Sequence, residues 1–349
     1  MKIVYVNMPS DAWRIILPDA LEINAERGMG GTEFATIMSA IAAAELGHEV
    51  YHIGNFTVRD RRYRDITWLG FEEANQAPFQ DALVWQACFA HDVPGKTRLL
   101  FQHWNDYNYL PSGWDQKIDI HAFSSSYHER YCKATCANGN PADWRTVVSN
   151  FGVFSDWLTN INWDKRLNRI VYGSSPDRGL HHLLKVYPTI YEVTHAELLI
   201  AYKLKEWLVS PSHGQADTDR KSSIQRLLAD MSGLPITITG HIGHRPFLKL
   251  LGESKCLAYP CDPISHTESF GLVVYEALSA GCKVVTTDAD AFPELYARDA
   301  ALIERESGWL DGFVKATIST VTSGQGPKLF QPRSWTEHVH EVLEVANGR

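Results

Sequence analysis

Short β-branched runs alternate with helical stretches along almost the whole chain, and this alternation limits the folds open to it. Lys2–Val6 (KIVYV) reads as a buried strand. A long polar loop then ends in Gly28-Met29-Gly30-Gly31, and residues 32–46 read as an Ala- and Ile-rich helix stopped at Gly47. Glu49–Ile53 (EVYHI) reads as the next strand. Strand, glycine loop, helix and strand in that order make a βαβ unit, whose strands run parallel. Further strands are predicted at residues 82–86, 99–102, 119–123 and Thr146–Val148. A second series begins at residues 169–172. Helices at 180–187, 222–231, 246–251, 271–280 and 293–296 then alternate with strands at 197–201, 236–239, 256–259 and 283–286. A last helix is predicted over residues 335–345, after the Gly/Pro-rich stretch 323–332.

The length of 349 residues suits two such domains. The boundaries fall at residues 1–165, 166–331 and 332–349, the last being the closing helix. The expected architecture is α/β: two Rossmann-like halves facing each other across a ligand cleft. The 44% hydrophobic content argues against a disordered chain, and a formal charge of −8 against non-specific coating of nucleic acid or anionic membrane. The N-terminus lacks the pattern of a secretory signal, and no apolar stretch approaches the ~20 residues of a membrane span, so a cytoplasmic protein is expected. Six cysteines are too few for a disulfide scaffold. His128, Cys132 and Cys136 recur at helical spacing and suit zinc by type. No fourth ligand follows, so buried free thiols are the better reading.

The chemistry concentrates in residues 266–282, HTESFGLVVYEALSAGC. Glu268 precedes a helix and Glu276 lies inside it, with seven residues between them. Gly271 and Leu272 offer backbone N–H groups at the helix start, which favours an anion. Carboxylates accept from sugar and ribose hydroxyls, and amides bind a diphosphate, so the segment suits a sugar nucleotide. A second signal is YGSSPDRGL, residues 172–180, which follows the first strand of the second half and opens a helix. A phosphate-binding turn belongs at that point of a Rossmann-like half.

At these residues the sequence resembles the retaining glycosyltransferases of family 4, which have the GT-B fold. The context E-x-F-G-x-x-x-x-E-A-x-x-x-G is met by Glu268, Phe270, Gly271, Glu276, Ala277 and Gly281. The resemblance implies that Glu268 contacts the donor sugar, that Glu276 holds the nucleotide ribose, and that Ser269, Phe270, Gly271 and Leu272 line the donor. It implies that Arg178 meets the diphosphate, helped by Gly173, Ser174 and Ser175. Many family members carry a second cation where this chain has Gly173, and Lys203, Lys205 or Lys283 are candidates to replace it. Gly30 and Gly31, in the first glycine loop, would approach the donor phosphates. His103, at the end of a first-domain strand, would face the reacting sugar. The C-terminal helix would cross back to the first domain.

These expectations describe a glycosyltransferase that moves a sugar from a nucleoside-diphosphate sugar, with a UDP-sugar preferred to a GDP-sugar, to an acceptor hydroxyl. Arg178 and the helix amides supply positive charge, so no metal or other cofactor is expected; Asp288 and Asp290 have D-x-D spacing but lie outside the expected phosphate seat. The competing reading is a catalytically silent GT-B protein that binds a sugar nucleotide or a partner, favoured by Gly173 and Lys283. The acceptor classes left open are a glycan, a lipid-linked or small molecule, and a modified nucleic acid. The basic run Arg59-Asp60-Arg61-Arg62-Tyr63-Arg64 would guide an anionic acceptor, or is a solvated loop.

Overall fold

A computed structural model describes residues 1–7, 15–17, 31–54, 56–58, 62–74, 79–87, 93–103, 107–108, 110–153, 155–158, 162–212, 214–240, 242–263 and 268–348. The described residues up to 153, together with those from Arg333 onward, form one compact unit, and those within Ser155–Pro332 form the other. The first crossing thus falls at Ser155, ahead of the polar stretch 162–166.

In the first unit an eight-stranded sheet runs in the order Thr146–Val148, Ile120–Phe123, Thr97–Phe101, Leu83–Gln86, Lys2–Val6, Glu49–Ile53, Ile66–Leu69, Arg62–Tyr63. The pairings are parallel except the last, a hairpin. The helix Gly31–Glu45 is buried continuously from Glu33 to Ala43. It packs on Lys2–Val6 and Glu49–Ile53 on one side and on the C-terminal helix Trp335–Ala346 on the other, which explains its apolar composition all round. The Phe34 and Trp335 rings meet edge-on at 6.0 Å.

The returning chain is fixed by close backbone approach. A Cβ on Gly152 would run into the backbone of Ser334 and Trp335. The Val153 N–H donates to the Arg333 carbonyl at 2.9 Å, and Ser149 Oγ lies 2.9 Å from His338 Nδ1. Ser334 then starts the helix in a capping box with Glu337. The C-terminal helix therefore belongs to the first unit.

The second unit holds a six-stranded parallel sheet in the order Ile236–Ile238, Glu197–Ile200, Leu167–Tyr172, Ser254–Tyr259, Lys283–Thr287, Ala301–Ile303. Counted along this unit the order is 3-2-1-4-5-6, that of a Rossmann fold. Several elements differ from the sequence reading: the strand Ala301–Ile303 and the helix Leu204–Val209 are absent from it, and two longer helices differ as well. The helix after the first strand runs Leu180–Thr194, straight through Pro188, where the sequence predicts a stop at Tyr187. Proline removes one helical hydrogen bond, but Leu183, Leu184, Tyr187 and Ile190 share a buried face across it. The helix Trp309–Thr322 escapes a propensity reading because it is rich in Thr, Ile and Val and contains Gly312. Its buried Phe313, Thr317 and Val321 nevertheless recur at i, i+4, i+8.

Arg166, directly before the first strand of this sheet, has a buried guanidinium. It donates to the carbonyls of Ser254 at 3.2 Å and Ala280 at 2.8 Å. These carbonyls lie just past the C-termini of the helices His244–Glu253 and Leu272–Ser279, where the backbone partial charge is negative. Among the described residues no helix is long and apolar enough to cross a membrane.

Histidines supply much of the first unit's aromatic packing. His52 stacks on Trp68 at 4.7 Å, His121 on Trp144 at 4.1 Å, and His338 meets Trp85, Phe101 and Phe151 edge-on. Burial lowers His52, His103 and His338 from 6.5 to about 3, and His121 to about 4. These rings are neutral when folded but protonate near pH 6.5 when unfolded. Stability is therefore full above pH 6.5 and is lost as the pH falls toward the folded values, by about 1.4 kcal/mol per pH unit for each histidine. Denaturant midpoints measured from pH 7.5 to 4.5 should fall steadily below pH 6.5; a flat profile would contradict the neutral-histidine core.

Candidate functional site

The strand order of the second unit reverses between Leu167–Tyr172 and Ser254–Tyr259, which lie side by side. In an open α/β sheet the crevice beyond the carboxyl ends of such a pair is the usual ligand position. Residues 173–179 form one loop, and the described residues 260–263 and 268–271 belong to the other connection. The first contains the 3-10 turn Pro176–Arg178 and ends at Gly179, with φ 116°. A Cβ on Gly179 would run into the Pro260 carbonyl, and the Asp262 N–H donates to the Arg178 carbonyl at 3.2 Å. The two loops are thus locked together by their backbones.

Across this junction Arg178 Nη1 donates to Glu268 Oε1, with which it forms an ion pair. Tyr259 Oη donates to the same oxygen at 2.8 Å and accepts from Ser174 Oγ at 3.1 Å. Glu268 is only 3% exposed, a position no carboxylate holds without partners. The Glu268 carboxylate raises Arg178 further above its ordinary value, and burial raises the Tyr259 phenol. The Glu268 N–H in turn donates to Asp290 Oδ2 at 3.1 Å, so Asp290 joins the site. Asp288 instead accepts from the Arg305 N–H at 3.2 Å. The two carboxylates of the D-x-D spacing therefore serve different partners.

Gly271 adopts φ 72° and caps the helix Leu272–Ser279. A side chain there would strike the Phe292 ring as well as strain the backbone. The first N–H groups of this helix, at Leu272 and Val273, have no partner within it. Glu276, 3% exposed, lies one turn along and meets His244 Nδ1 at 2.7 Å. His244 opens the helix His244–Glu253. Ser269 and Phe270 complete the loop, the Phe270 carbonyl accepting from Tyr296 Oη at 2.7 Å.

A hub of charge braces the Arg178 turn from behind. Asp262 accepts from Arg220 Nη2 and Arg305 Nη1, each at 3.0 Å, and pairs with His182 Nε2 at 3.0 Å. Arg220 Nη1 also donates to the carbonyls of Asp177 and Asp262. The His182 hydrogen bond, with the two arginines, lowers Asp262 to about 2. His181, His182 and Asp262 offer ligand atoms within 4.8 Å of one another, a grouping of metal-binding type. Two guanidiniums on the only carboxylate of that set make it a poor cation site.

Other residues singled out in the sequence fall elsewhere. Ser175 turns its hydroxyl to Asp177, not outward. Lys283 begins its strand, at the sheet end opposite the crevice, and lies 4.6 Å over the Trp163 ring, so it does not replace the missing cation. Lys203 caps the helix Leu204–Val209, which follows a carboxyl end, and Lys205 is exposed on that helix. Gly31 starts the helix Gly31–Glu45 in the first unit, while Gly30 lies outside the described residues. His103 follows the strand Thr97–Phe101, also in the first unit, with its ring stacked 5.9 Å from Phe151. Arg59, Asp60 and Arg61 lie outside the described residues; Arg62 is exposed and pairs with Asp65 at 3.5 Å. Cys132 and Cys136 are free thiols, and burial pushes Cys132 up to about 12. Sequence reasoning missed Tyr259, His244 and Asp262. Tyr259 had a weak signal, its place at the carboxyl end of the fourth strand; His244 had none.

Gly173 explains the absent cation. A Cβ at this position would run into the Phe247 ring and the Val273 side chain. A basic residue installed there, as Gly173→Lys, should lower the melting temperature by ~5 °C through overpacking. Combining it with Phe247→Ala should recover part of that loss. An unchanged melting temperature for Gly173→Lys alone would contradict the packing seen.

Residues 170–322, most of the second unit, match the protein family described as glycosyl transferases group 1. No curated protein matches the chain in sequence. Among solved structures the chain resembles AviGT4, a glycosyltransferase involved in avilamycin A biosynthesis, with TM-score 0.66 and 14% identity over 99% of this chain and 97% of that one. It resembles sucrose-phosphate synthase from Thermosynechococcus elongatus, with TM-score 0.64 and 13% identity over 100% and 99%. It also resembles Alr3699/HepE from Anabaena, solved in complex with UDP, with TM-score 0.64 and 11% identity over 100% of each chain. At such identities the likeness is one of fold. The fold is GT-B in type, two Rossmann-like units, and the match to residues 170–322 supports glycosyl transfer as the general activity.

Proposed function

We propose that the protein is a retaining glycosyltransferase of the family 4 type, taking its sugar from a nucleoside diphosphate. One observation carries this reading. Arg178, Glu268, Glu276 and the open start of the helix Leu272–Ser279 all converge on the switch point of one Rossmann-like unit. The donor is assigned to the second unit and the acceptor to the first, with His103 toward the reacting sugar. Glu276 accepts from the ribose, held in place by His244. The N–H groups at Leu272 and Val273 and the Arg178 guanidinium receive the diphosphate. Glu268 accepts from sugar hydroxyls.

Transfer breaks the bond between the anomeric carbon and the β-phosphate oxygen and forms one to the acceptor oxygen. Negative charge grows on the leaving diphosphate, where the arginine and helix amides stabilise it. Attack from the same face retains configuration, and the departing phosphate oxygen takes the acceptor's proton. Positive charge from the protein serves without a metal. A UDP-sugar is the preferred donor, in keeping with the UDP held by the Anabaena structure.

A thermal-shift panel of UDP-, GDP- and ADP-sugars tests the donor class. The expected outcome is a shift with one base, and donor hydrolysis that drops by about 100-fold in Glu268→Ala. The silent-protein reading has its own support in the ion pair that already occupies Arg178 and Glu268. A nucleotide shift with no turnover of any donor would establish it instead.

A further inference from the structure

We infer that Glu268 competes with the donor diphosphate for Arg178, so that arrival of the diphosphate is what frees Glu268 to meet the sugar. The inference rests on the donor reading above and adds an order of events to it. Three observations support it. The guanidinium assigned to the diphosphate is bonded to the carboxylate assigned to the sugar. The Arg178 side chain is 31% exposed, so an incoming phosphate can reach it, whereas the Glu268 side chain is 4% exposed and stays in place. Tyr259 Oη, itself held by Ser174, gives Glu268 Oε1 a second donor at 2.8 Å. The carboxylate therefore keeps a hydrogen bond when the arginine leaves, and avoids being stranded as a bare buried charge.

The exchange conserves charge pairing at each stage. Without donor, Arg178 and Glu268 neutralise each other. With a diphosphate bound, Arg178 turns to phosphate oxygens. Glu268, still held by Tyr259, then has acceptor capacity open at Oε1. A sugar hydroxyl is the complementary donor. Competition of this kind lowers diphosphate affinity by the free energy of the ion pair it must break. Removing the carboxylate should thus strengthen binding of the bare nucleotide, the reverse of what a residue contributing only contacts would do. The effect requires the β-phosphate, because a monophosphate has no second phosphate to bring to Arg178.

The test compares UDP with UMP (GDP with GMP or ADP with AMP where the wild type prefers a purine) by titration calorimetry. Glu268→Gln, which keeps the shape but drops the charge, should bind UDP about fivefold more tightly than wild type. Its affinity for UMP should stay within about twofold. Glu268→Asp, which keeps the acid but withdraws it by one methylene, should move UDP in the same direction and serves if the amide variant does not fold. Arg178→Gln should weaken UDP binding several-fold more than UMP binding. Equal or weaker UDP binding by the folded Glu268 variants would overturn the inference, as would an equal gain for UMP. Failure of the wild type to bind any nucleoside diphosphate would overturn the donor reading itself, a separate outcome.

Discussion

The reversal of strand order between Leu167–Tyr172 and Ser254–Tyr259 brings together the residues of the candidate site in the second unit. The connections leaving the carboxyl ends of these two neighbouring parallel strands meet at the switch point, where an open α/β sheet usually holds its ligand. Arg178 leaves from one strand, and Glu268 and the helix bearing Glu276 from the other. Residues 90 apart in sequence thereby form an ion pair. Arg166 fixes the far side of the same arrangement. By holding the carbonyls that follow His244–Glu253 and Leu272–Ser279, it anchors the two helices whose N-termini carry His244 and Gly271 into the crevice.

Two carboxylates at 3% exposure dominate the electrostatics of the site. Each is matched locally: Glu268 by Arg178 and Tyr259, Glu276 by His244. Breaking one partner of a buried pair costs far more than the pair contributes. These partners are therefore as necessary as the carboxylates. The overall charge of −8 has no bearing here, because a buried group responds to what lies within a few ångströms. The same logic separates Asp262 from a metal site. Its charge is already matched by Arg220 and Arg305, and the pairing holds the Arg178 turn against the adjacent loop.

Much of the second unit was legible because its signals are local. Strand runs such as residues 169–172 and 283–286 are apolar and β-branched, and the structure has strands at Leu167–Tyr172 and Lys283–Thr287. Gly271 and Glu276 are legible for the same reason: a glycine cap and an acid one turn later lie within one helix start. His244, Arg220 and Asp262 were not legible, and Tyr259 only weakly so, because their importance comes from partners 9, 32 and 42 positions away. Nothing in the sequence around His244 distinguishes it from the other histidines. The helix Trp309–Thr322 was missed for a different reason, since its β-branched residues favour strands unless tertiary packing decides. In the first unit His52, His121 and His338 serve as packing rings, a role that a sequence does not distinguish from a chemical one.

Gly173 connects packing to chemistry most directly. Read as sequence, it is a position where a cation is missing. In the structure it is a position where the Phe247 ring and Val273 leave no room for any side chain. The tight packing brings the start of the helix Leu272–Ser279 against the loop that carries Arg178. On the donor reading proposed above, this packing would bring the helix amides to the seat a second cation would have served. Arg178 is paired with Glu268, so under the proposed exchange the positive charge at this point would be released by the diphosphate rather than stand ready for it. A site working by that exchange would discriminate by phosphate number before it meets the sugar, since only a ligand able to draw Arg178 away would gain Glu268 as an acceptor.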